Sequence, residues 1–475
     1  MTSEKAGKME RKYLFGSIAV VVIVLTSILS FLIYTSMSQD QRPHSPIIID
    51  GDGDFAAKAK AEGWRGDGSP ENPYIVSRYA INATGSAYCI YAGNTTAHFV
   101  LDDLTVTGAG KAGIRLHNVQ NGRLSNITAR GNMEGMCMTN CSGIAAKDCV
   151  ASSNGFNGTY VLGSRDVALA NVSASSNTFN GIYLEETDGA SIEAGSADSN
   201  GRNGVYLMYC PDARVNGTEM SSNAWAGLVV KSSDDSVLTW VRSESNDWEG
   251  LSVWSSYRVR VADSTLLGNL KDGLYIGDSE GVEVVSNTIS LNHNNGIDAR
   301  ICRDVDLTGN TVNSNSWQGI YLYDFYGSAT ANSVSSNVRS GIYVNSSSGS
   351  VALIGNACSN NDYGIFIWSS GETVANNTLS NNIHHGVYVY NATSSGNRIW
   401  NNTFHRNNGT VIAYDPLCVQ AYDEGAGNWW NTTDGRGNLW SDWREPDADL
   451  DGIVDDPYNI AGAAGAKDYY PLMTA

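Results

Sequence analysis

The strongest constraint on the fold of this chain is a repeat of 22 or 23 residues. A glycine followed by an apolar, a variable and a second apolar residue recurs through thirteen successive steps of this length. Self-similarity at such a period is typical of a solenoid, and the alternation after the glycine indicates a strand whose apolar side chains point inward. The repeated glycines are Gly113, Gly135, Gly158, Gly181, Gly204, Gly227, Gly250, Gly273, Gly296, Gly319, Gly341, Gly364, Gly386 and Gly409.

A coil of this length has room for three short strands, which predicts an all-β fold: a single-stranded right-handed parallel β-helix. Thirteen steps at the spacing of paired strands, about 4.8 Å, make a stack of roughly 60 Å. Both ends need caps, because a bare terminal coil exposes unpaired strand edges. We expect a short helix in the alanine-rich run 55–61 to cover the first coil, and a tryptophan-rich tail to cover the last. The predicted segments are a cytoplasmic tail with a transmembrane helix over 1–40, an N-terminal cap over 41–80, the β-helix over 81–415 and a C-terminal cap over 416–475.

An asparagine stands four residues before most of these glycines. Asparagine tolerates the left-handed conformation of a tight corner, and stacked amides can hydrogen-bond from coil to coil. Eleven consecutive coils keep this residue, which favours a right-handed β-helix over a left-handed one. We therefore assign the asparagines a structural role. The predicted ladder is Asn154, Asn177, Asn200, Asn223, Asn246, Asn269, Asn292, Asn315, Asn337, Asn360 and Asn382.

The N-terminus predicts a membrane anchor. Residues 13–34 form a stretch of 22 residues without a charge that follows a basic segment, and about 20 apolar residues span the hydrocarbon core of a membrane. This stretch is longer than the core of a cleaved signal peptide, and no typical cleavage site follows it. We predict an uncleaved single-pass signal anchor in the cell membrane, with the chain from about residue 40 onward extracellular. A cleaved signal peptide is the alternative.

The charge balance is acidic. The chain has 30 Lys+Arg and 49 Asp+Glu, a formal net charge of −19. Residues 1–34 carry four positive and two negative charges, so the remainder carries −21. This excludes a nucleic-acid binder, which needs a basic surface. Thirteen Asn-x-Ser/Thr sequences, Asn171 and Asn431 among them, are candidate glycosylation sites, so we expect an exported glycoprotein.

Motifs at both ends of the repeat resemble those of a known family. Residues 66–76 read GDGSPENPYIV, and the tail contains NLWSD from Asn438, DGIVDDPY from Asp451 and DYYPL from Asp468. Together with the coils between them, the chain resembles the NosD-like β-helix family over nearly all of residues 46–475. The resemblance implies a right-handed β-helix of either of two kinds. One is a surface protein of archaeal type that binds or processes carbohydrate, and the other is an accessory protein for copper assembly of nitrous oxide reductase.

Aromatic residues recur on the outward side of the first strand of each coil. Such rings can stack between coils and stabilise a β-helix without any ligand. A stripe this wide, however, exposes apolar area that soluble surfaces usually avoid, and sugar rings offer flat C–H faces to aromatic side chains. We predict that this face binds polysaccharide or envelope glycan, with pure stacking as the alternative. The predicted glycan-binding residues are Tyr275, Tyr321, Tyr343, Trp248, Trp254, Trp317 and Asp298.

Charged residues fall on neighbouring coils of the same face. Carboxylates on adjacent coils can lie about 5–9 Å apart, the range used in glycoside hydrolysis, and an arginine beside acids suits a lyase that abstracts a sugar proton. A polysaccharide lyase or glycoside hydrolase is therefore the alternative function. Solvated surface charge is the simpler interpretation, and we expect a non-catalytic protein. The candidate catalytic residues are Asp272, Asp298, Glu249, Arg300 and His293.

The acidic tail contains part of a calcium-binding pattern. Aspartates occupy positions 1, 3, 5 and 9 of a loop whose sixth residue is glycine, as in the first part of a calcium loop, whereas Tyr458 replaces the usual glutamate at position 12. The pattern resembles dockerin and thrombospondin type-3 loops. We predict a structural Ca²⁺ site, with a solvated acidic turn as the alternative. The predicted ligands are Asp447, Asp449, Asp451, the carbonyl of Ile453, and Asp455.

Sulfur-containing residues raise the questions of copper and disulfides. Met136 and Met138 occupy the inward positions after a repeated glycine, so we predict core packing there and no copper site. Cys141, Cys210 and Cys302 each lie six residues after their glycine, three or four coils apart, which is too far for a disulfide. We expect them to be buried at a corner of the coil. A bridge from Cys141 to its neighbour eight residues on remains open.

Overall fold

The structure is a computed structural model that describes residues 41–345, 350–410, 413–443 and 446–473. The predicted membrane anchor, residues 13–34, lies outside the described residues. Within them, no helix combines the length and hydropathy needed to cross a membrane.

The described chain winds about 14 turns of a parallel β-solenoid whose coils have three faces. Strands of face 1 begin after the repeated glycines; they are Ile47–Asp50, Tyr88–Thr95, Ala112–Val119, Glu134–Thr139, Thr159–Leu162, Ile182–Glu185, Val205–Met208, Leu228–Lys231, Leu251–Trp254, Leu274–Gly277, Ile297–Thr308, Ile320–Thr330, Ile342–Asn345, Ile365–Ile367, Val387–Val389 and Ala421–Asp423. Strands of face 2 follow; they are Tyr74–Asn82, Phe99–Thr107, Gly122–Arg130, Ser142–Lys147, Arg165–Ala170, Ser191–Glu193, Arg214–Asn216, Val237–Thr239, Arg260–Ala262, Glu283–Val285, Val351–Ile354, Thr373–Ala375 and Arg398–Trp400. Strands of face 3 complete the coil; they are Arg42–His44, Val150–Ser152, Glu219–Ser221, Arg242–Glu244, Thr265–Leu267, Thr288–Ser290, Thr311–Asn313, Ser333–Ser335, Ala357–Ser359, Thr378–Ser380, Thr403–His405 and Leu439–Trp440.

Some strands bend around a corner and serve two faces. The first three strands of face 2 continue into face 3, and the two long strands of face 1, Ile297–Thr308 and Ile320–Thr330, continue into face 2. The remaining pair, Tyr458–Asn459 and Lys467–Asp468, is antiparallel and belongs to the C-terminal end.

The repeated glycine is required by close packing between coils. A Cβ atom on Gly250 would lie 2.7 Å from the carbonyl oxygen of Gly273 and 2.6 Å from the amide nitrogen of Asn269. Because the same crowding recurs from coil to coil, a side chain at this position would force the stack apart. Glycine therefore recurs in the sequence because neighbouring coils approach each other most closely at this position.

The predicted asparagine ladder is present and is longer than expected. The amide Nδ2 of Asn154 donates to Oδ1 of Asn177 at 3.0 Å, and the backbone N–H of Asn154 donates to the same oxygen. The ladder runs from Asn132 to Asn407. One residue of the prediction is wrong: Asn361, not Asn360, belongs to the ladder. Asn361 follows its partner Asn337 by 24 residues and precedes its partner Asn382 by 21, so the spacing at these two steps departs from the usual 22 or 23.

The last predicted glycine is also wrong. The backbone N–H of Gly386 donates to Gln420, so the next coil continues from Gln420. Gly409 instead lies in a turn with φ of 69° inside the insertion between Asn407 and Gln420. The spacing of 23 residues at this step was therefore a coincidence.

The helix Asp52–Glu62 covers the first coils, as predicted. Its buried Phe55 stacks on Tyr74 with ring centroids 4.7 Å apart and packs on Phe99 at 5.3 Å. The family motif that follows the helix is a tight turn: a Cβ on Gly66 would meet the carbonyl oxygen of Pro73 at 2.0 Å. Glycine is needed there because the backbone adopts φ of 96°.

The C-terminal motifs close the other end of the stack. Trp440 lies between Phe404, at 4.1 Å, and Tyr458, at 3.9 Å between ring centroids. The carboxylate of Asp468 accepts hydrogen bonds from the indole of Trp440, at 3.0 Å, and from the backbone of Asn438, at 2.7 Å. These residues carry the family resemblance, so the motif encodes a buried cap.

The sulfur-containing side chains behave as packing residues. Met136 and Met138 are fully buried in the core, which confirms their predicted inward position. All eight cysteines are free thiols, and Cys141, Cys210 and Cys302 are buried at their corner as predicted.

Candidate functional site

Face 1 presents four outward rows of side chains, because equivalent positions of successive coils lie in register. Row A, two residues before the repeated glycine, contains Phe156, Phe179, Arg202, Trp225, Trp248, Lys271, Asn294, Trp317 and Arg339. Row B, directly before the glycine, contains Asn157, Asn180, Asn203, Ala226, Glu249, Asp272, Asn295, Gln318 and Ser340. Row C, two residues after it, contains Tyr160, Tyr183, Tyr206, Val229, Ser252, Tyr275, Asp298, Tyr321 and Tyr343. Row D, four residues after it, contains Leu162, Glu185, Met208, Lys231, Trp254, Gly277, Arg300, Tyr323 and Asn345.

Many rings of row C stack on each other. The ring centroids of Tyr183 lie 5.3 Å from Tyr160 and 5.2 Å from Tyr206. Tyr343, a predicted glycan-binding residue, is held between Tyr321 at 5.3 Å and the next ring of the row at 4.9 Å. In these parts of the row the ring faces are occupied by neighbouring rings, which leaves mainly ring edges toward solvent.

Row B forms a further amide ladder that was not predicted. The carboxamide oxygen of Asn157 accepts from the backbone and side chain of Asn180 at 3.1 Å, and Asn180 accepts from Asn203 in the same way. This ladder runs in the opposite direction to the buried one, since each coil here donates to the coil before it. The signal in the sequence is an asparagine directly before the repeated glycine.

The amide ladder of row B and the ring stack of row C are interrupted by carboxylates over three coils. Glu249 and Asp272 replace asparagine in row B, and Asp298 replaces tyrosine in row C. Asp272 is 5% exposed and Asp298 only 1%. We call Glu249, Asp272 and Asp298 the acidic cluster.

The two buried aspartates have different partners. Asp298 accepts a two-pronged contact from Arg300, with Nε at 2.7 Å and Nη2 at 2.8 Å, and a further bond from the amide of Asn295 at 2.9 Å. Asp272 accepts from the backbone N–H of Asn295 at 2.8 Å, and it forms no ion pair within the described residues. The charge of Asp298 is thus compensated by a guanidinium, whereas that of Asp272 is not.

These environments set the acidity of the cluster. Burial, with the charge of Asp298, raises the pKa of Asp272 to about 7. Burial also raises the pKa of Glu249, against the opposing effect of Lys271. Asp272 therefore keeps its proton to a higher pH than an exposed aspartate does.

Four exposed aromatic residues surround the acidic cluster, and we call them the aromatic frame. Trp248 and Trp254 lie on the first of its coils and are 45% and 41% exposed; Trp317 and Tyr323 lie on the coil beyond it and are 45% and 42% exposed. Three coil steps separate the two pairs, about 14 Å. Unlike the tyrosines of the unbroken rows, these side chains stand at the borders of a polar gap.

Inside the gap, Gly277 makes room for a tilted ring. Tyr275 lies over this glycine and stacks on Trp254 at 4.6 Å, and a Cβ on Gly277 would meet the Tyr275 ring at 2.6 Å. On the other side Arg300 covers Tyr321 with its guanidinium 5.1 Å from the ring centroid. Ser252, which is 2% exposed, has a hydroxyl with no hydrogen-bond partner among the described residues. That donor was not predicted, and an orphan of this kind is unusual in a protein interior.

One candidate lies apart from the others. His293 sits exposed at the preceding corner, and its side chain makes no hydrogen bond or ion pair within the described part of the chain. The structure thus brings together four of the five candidate catalytic residues and leaves His293 outside.

The predicted calcium ligands converge only in part. Within the described ranges, the one set of three acidic, histidine or cysteine side chains with ligand atoms within 4.8 Å of one another is Asp447, Asp449 and Asp451. Asp455 is instead engaged by the backbone N–H of Ala448 at 2.9 Å. The aspartates also accept backbone N–H groups of their own loop, as the turn alone requires.

Comparison with known proteins places the chain in a class. The profile described as "Right handed beta helix region" matches residues 88–223 and 157–301, which agrees with the parallel coils. The profile described as "Periplasmic copper-binding protein (NosD)" matches residues 292–445. These two matches, with the parallel coils of the structure, support a NosD-like right-handed parallel β-helix. No curated protein gives a significant match.

Solved structures give similarities at low identity. The A-module of mannuronan C-5 epimerase AlgE4 of Azotobacter vinelandii has 18% identity and a TM-score of 0.46, with 70% of this chain and 97% of that chain covered. A double mutant of the periplasmic alginate epimerase AlgG has 14% identity and a TM-score of 0.44, with 66% and 85% covered. The enzymatically active domain of tailspike protein 2 of bacteriophage CBA120 has 10% identity and a TM-score of 0.38, with 58% and 43% covered. At these values the similarity does not extend to function.

Proposed function

We propose that this protein binds an extended polysaccharide or envelope glycan across face 1, at the acidic cluster and its aromatic frame. The observation that carries the proposal is the juxtaposition of exposed indoles with the buried carboxyls of Asp272 and Asp298. Tryptophan and tyrosine provide flat apolar platforms, while carboxyl and hydroxyl groups accept and donate hydrogen bonds to sugar hydroxyls.

Stacking alone does not account for this part of the face. Where rings serve the fold, they are continuous and cover one another, as in Tyr160, Tyr183 and Tyr206. At the acidic cluster the rows are broken at a cost, since burying carboxyls and an unbonded hydroxyl opposes folding. Such costs are typical of sites that are kept for a ligand.

The long, open shape favours a polymer over a small molecule. The frame spans about 14 Å along the stack, and its four corners lie on the two sides of the polar gap. A chain of sugars can contact several of them at once, so weak contacts add up along the polymer.

Acid–base catalysis is a second candidate, favoured by the pKa of about 7 at Asp272. A protonated Asp272 can donate a proton to a glycosidic oxygen, and Glu249 is the partner carboxyl for a water or sugar proton. Asp298 is less suited to act as base or nucleophile, because Arg300 and Asn295 already use its oxygens. Turnover would appear as new reducing ends or unsaturated products, and Asp272→Asn would abolish it.

We also propose that the chain is exported and held at the membrane through residues 13–34, as a glycoprotein. The family profile that matches its C-terminal half is described as periplasmic, which supports export. Asp447, Asp449 and Asp451 would hold a calcium ion that pins the C-terminal cap.

Binding is tested with the full chain on a glycan array, beside the variant Trp248→Ala/Trp317→Ala. We expect at least one class of glycan to bind the wild type and the variant to lose it by tenfold or more. Both indoles are nearly half exposed, so the variant should fold normally. Binding that the variant keeps, or no binding to any glycan, would contradict the proposal.

A further inference from the structure

A cavity lies on face 2, near the C-terminal end of the stack. Arg398 pairs with Trp429 on the next coil. The side chains of Arg398 and Trp400 therefore lie beside those of Trp429 and Asn431. They form one side of this cavity of about 440 Å³, a size typical of small-ligand sites. Its lining residues are Arg398, Trp400, Trp429, Asn431, Thr432, Thr433 and Asp434.

The cavity combines a cation with two indoles. The guanidinium of Arg398 lies over the ring of Trp429, 5.5 Å from its centroid. Within the described residues no carboxylate forms an ion pair with Arg398, whereas Arg242, Arg258, Arg260 and Arg300 each form one. Cation–π contact orients the guanidinium and leaves its N–H donors available.

The far wall is a firmly closed loop. The backbone N–H of Thr432 donates to the carbonyl of Arg436 at 2.8 Å, and that of Arg436 donates to the Thr432 hydroxyl at 2.9 Å. Asp434 on this loop is engaged by Arg436 at 3.5 Å, which offsets its charge. Asn431 is fixed as well, because its Oδ1 accepts from the backbone of Tyr469 at 3.2 Å.

We propose that this cavity binds an anionic sugar residue, one that carries a carboxylate or a sulfate. Guanidinium groups match planar oxyanions through paired hydrogen bonds. The exposed face of an indole matches the C–H face of a sugar ring, and threonine hydroxyls match its hydroxyl groups. A neutral sugar would stack on the indoles but would bring no negative charge to pair with the guanidinium of Arg398.

The proposal rests on residues that face 1 does not share, so the two sites can be tested separately. The full chain is titrated with glucuronate, galacturonate and mannuronate, with glucose 6-sulfate, and with the neutral partners glucuronamide and glucose. Tryptophan fluorescence and saturation-transfer NMR report binding. We expect at least one anionic sugar to bind at least tenfold more tightly than its neutral partner.

Variants place the effect in the cavity. Arg398→Gln should weaken the anionic sugar at least tenfold. Arg339→Gln removes a matched arginine that lies over Trp317 on face 1, 4.7 Å from the ring, and should leave this binding unchanged. Arg398 is exposed, so an unaltered Tm is expected for its variant. Equal affinity for charged and neutral sugars, no binding of any anionic sugar, or loss in Arg339→Gln instead of Arg398→Gln would overturn the proposal. Loss of polysaccharide binding at the aromatic frame alone would not overturn it, because that result concerns face 1 and not this cavity.

Discussion

Two regions of face 1 have the same backbone conformation and differ in their outward side chains. In the coils from Asn157 to Tyr206, row B is an amide ladder and row C a stack of tyrosines. In the coils from Glu249 to Tyr321, the same positions hold carboxyls, an orphan serine hydroxyl and an arginine-bound aspartate. The first region pairs its row B amides and stacks its row C tyrosines, whereas the second places carboxyls in the same two rows; each region has one buried hydroxyl without a partner among the described residues, Thr159 in the first and Ser252 in the second. Since the backbone is the same, the difference is a property of the side chains and points to a role outside folding.

The buried asparagine ladder should not distinguish the two regions, and breaking it should have the largest effect on stability. Asn200→Ala and Asn269→Ala each leave the preceding asparagine's buried backbone N–H and amide without their acceptor. We expect each to lower the free energy of unfolding by about 2–5 kcal/mol, measured by urea denaturation. The exposed Asn216→Ala is the control, with an effect within about 0.5 kcal/mol. Strongly unequal losses at 200 and 269 would mean that the coils are not equivalent.

Ligand binding should separate the regions most clearly. Trp248→Ala and Trp254→Ala remove frame residues, and each should weaken a glycan found on the array by about tenfold, a loss of about 1.4 kcal/mol. Phe156→Ala/Phe179→Ala removes a stacked pair, 4.0 Å between centroids, from row A of the first region. It should lower Tm and leave affinity unchanged, as measured by isothermal titration calorimetry. Equal loss of affinity in both sets would spread the binding surface over the whole face.

The pH dependence of stability should follow the acidic cluster. Because the folded state raises the pKa of Asp272 to about 7, it keeps a proton that the unfolded chain releases from about pH 4 upward. Stability should therefore fall as pH rises from about 4 to 7, and Asp272→Asn should make the fall shallower. Burial raises the pKa of Glu134 and Glu372 to about 7 as well, so part of the slope should remain. A Tm that rises between pH 5 and pH 8 would contradict this assignment.

Calcium should have the smallest effect on the free energy of unfolding. This effect should not distinguish the two regions of face 1, because the proposed site lies in the C-terminal cap. With a dissociation constant of about 10⁻³ M, 1 mM calcium adds about 0.4 kcal/mol to the free energy of unfolding. Asp449→Asn should remove that increment, and magnesium should not reproduce it. A calcium effect of the same size in the variant would leave Asp447, Asp449 and Asp451 as an acidic turn.

The sequence allowed the coil to be predicted because its cause is local and repeated. Crowding at Gly250 and its equivalents disfavours a side chain, so the glycines mark the coils from Gly113 to Gly386. Counting from them failed twice, at Asn360 and at Gly409. In both places the hydrogen bonds of the stack fix the register, and insertions or shortened turns change the count without changing the coil.

The sequence predicted which residues form the candidate site, but not their hydrogen bonds or their burial. Position in the coil placed Glu249, Asp272 and Asp298 on one face, which the structure bears out. It did not reveal that Arg300 holds Asp298, nor that Ser252 lacks a partner, because these depend on rotamers and burial. His293 was predicted on the same face, but it lies exposed beside Asn292, and its side chain makes no hydrogen bond or ion pair within the described residues.

The most direct test makes the second region a copy of the first. The variant Glu249→Asn/Ser252→Tyr/Asp272→Asn/Asp298→Tyr restores the amide ladder and the tyrosine stack while it keeps the backbone. We predict a folded protein with unchanged or higher Tm and no measurable affinity for the glycan that binds the wild type. Asp272→Asn alone, which changes one oxygen to an amide, serves as the milder comparison and should lower affinity in part. A folded fourfold variant that binds the glycan as tightly as the wild type would contradict the role of the acidic cluster.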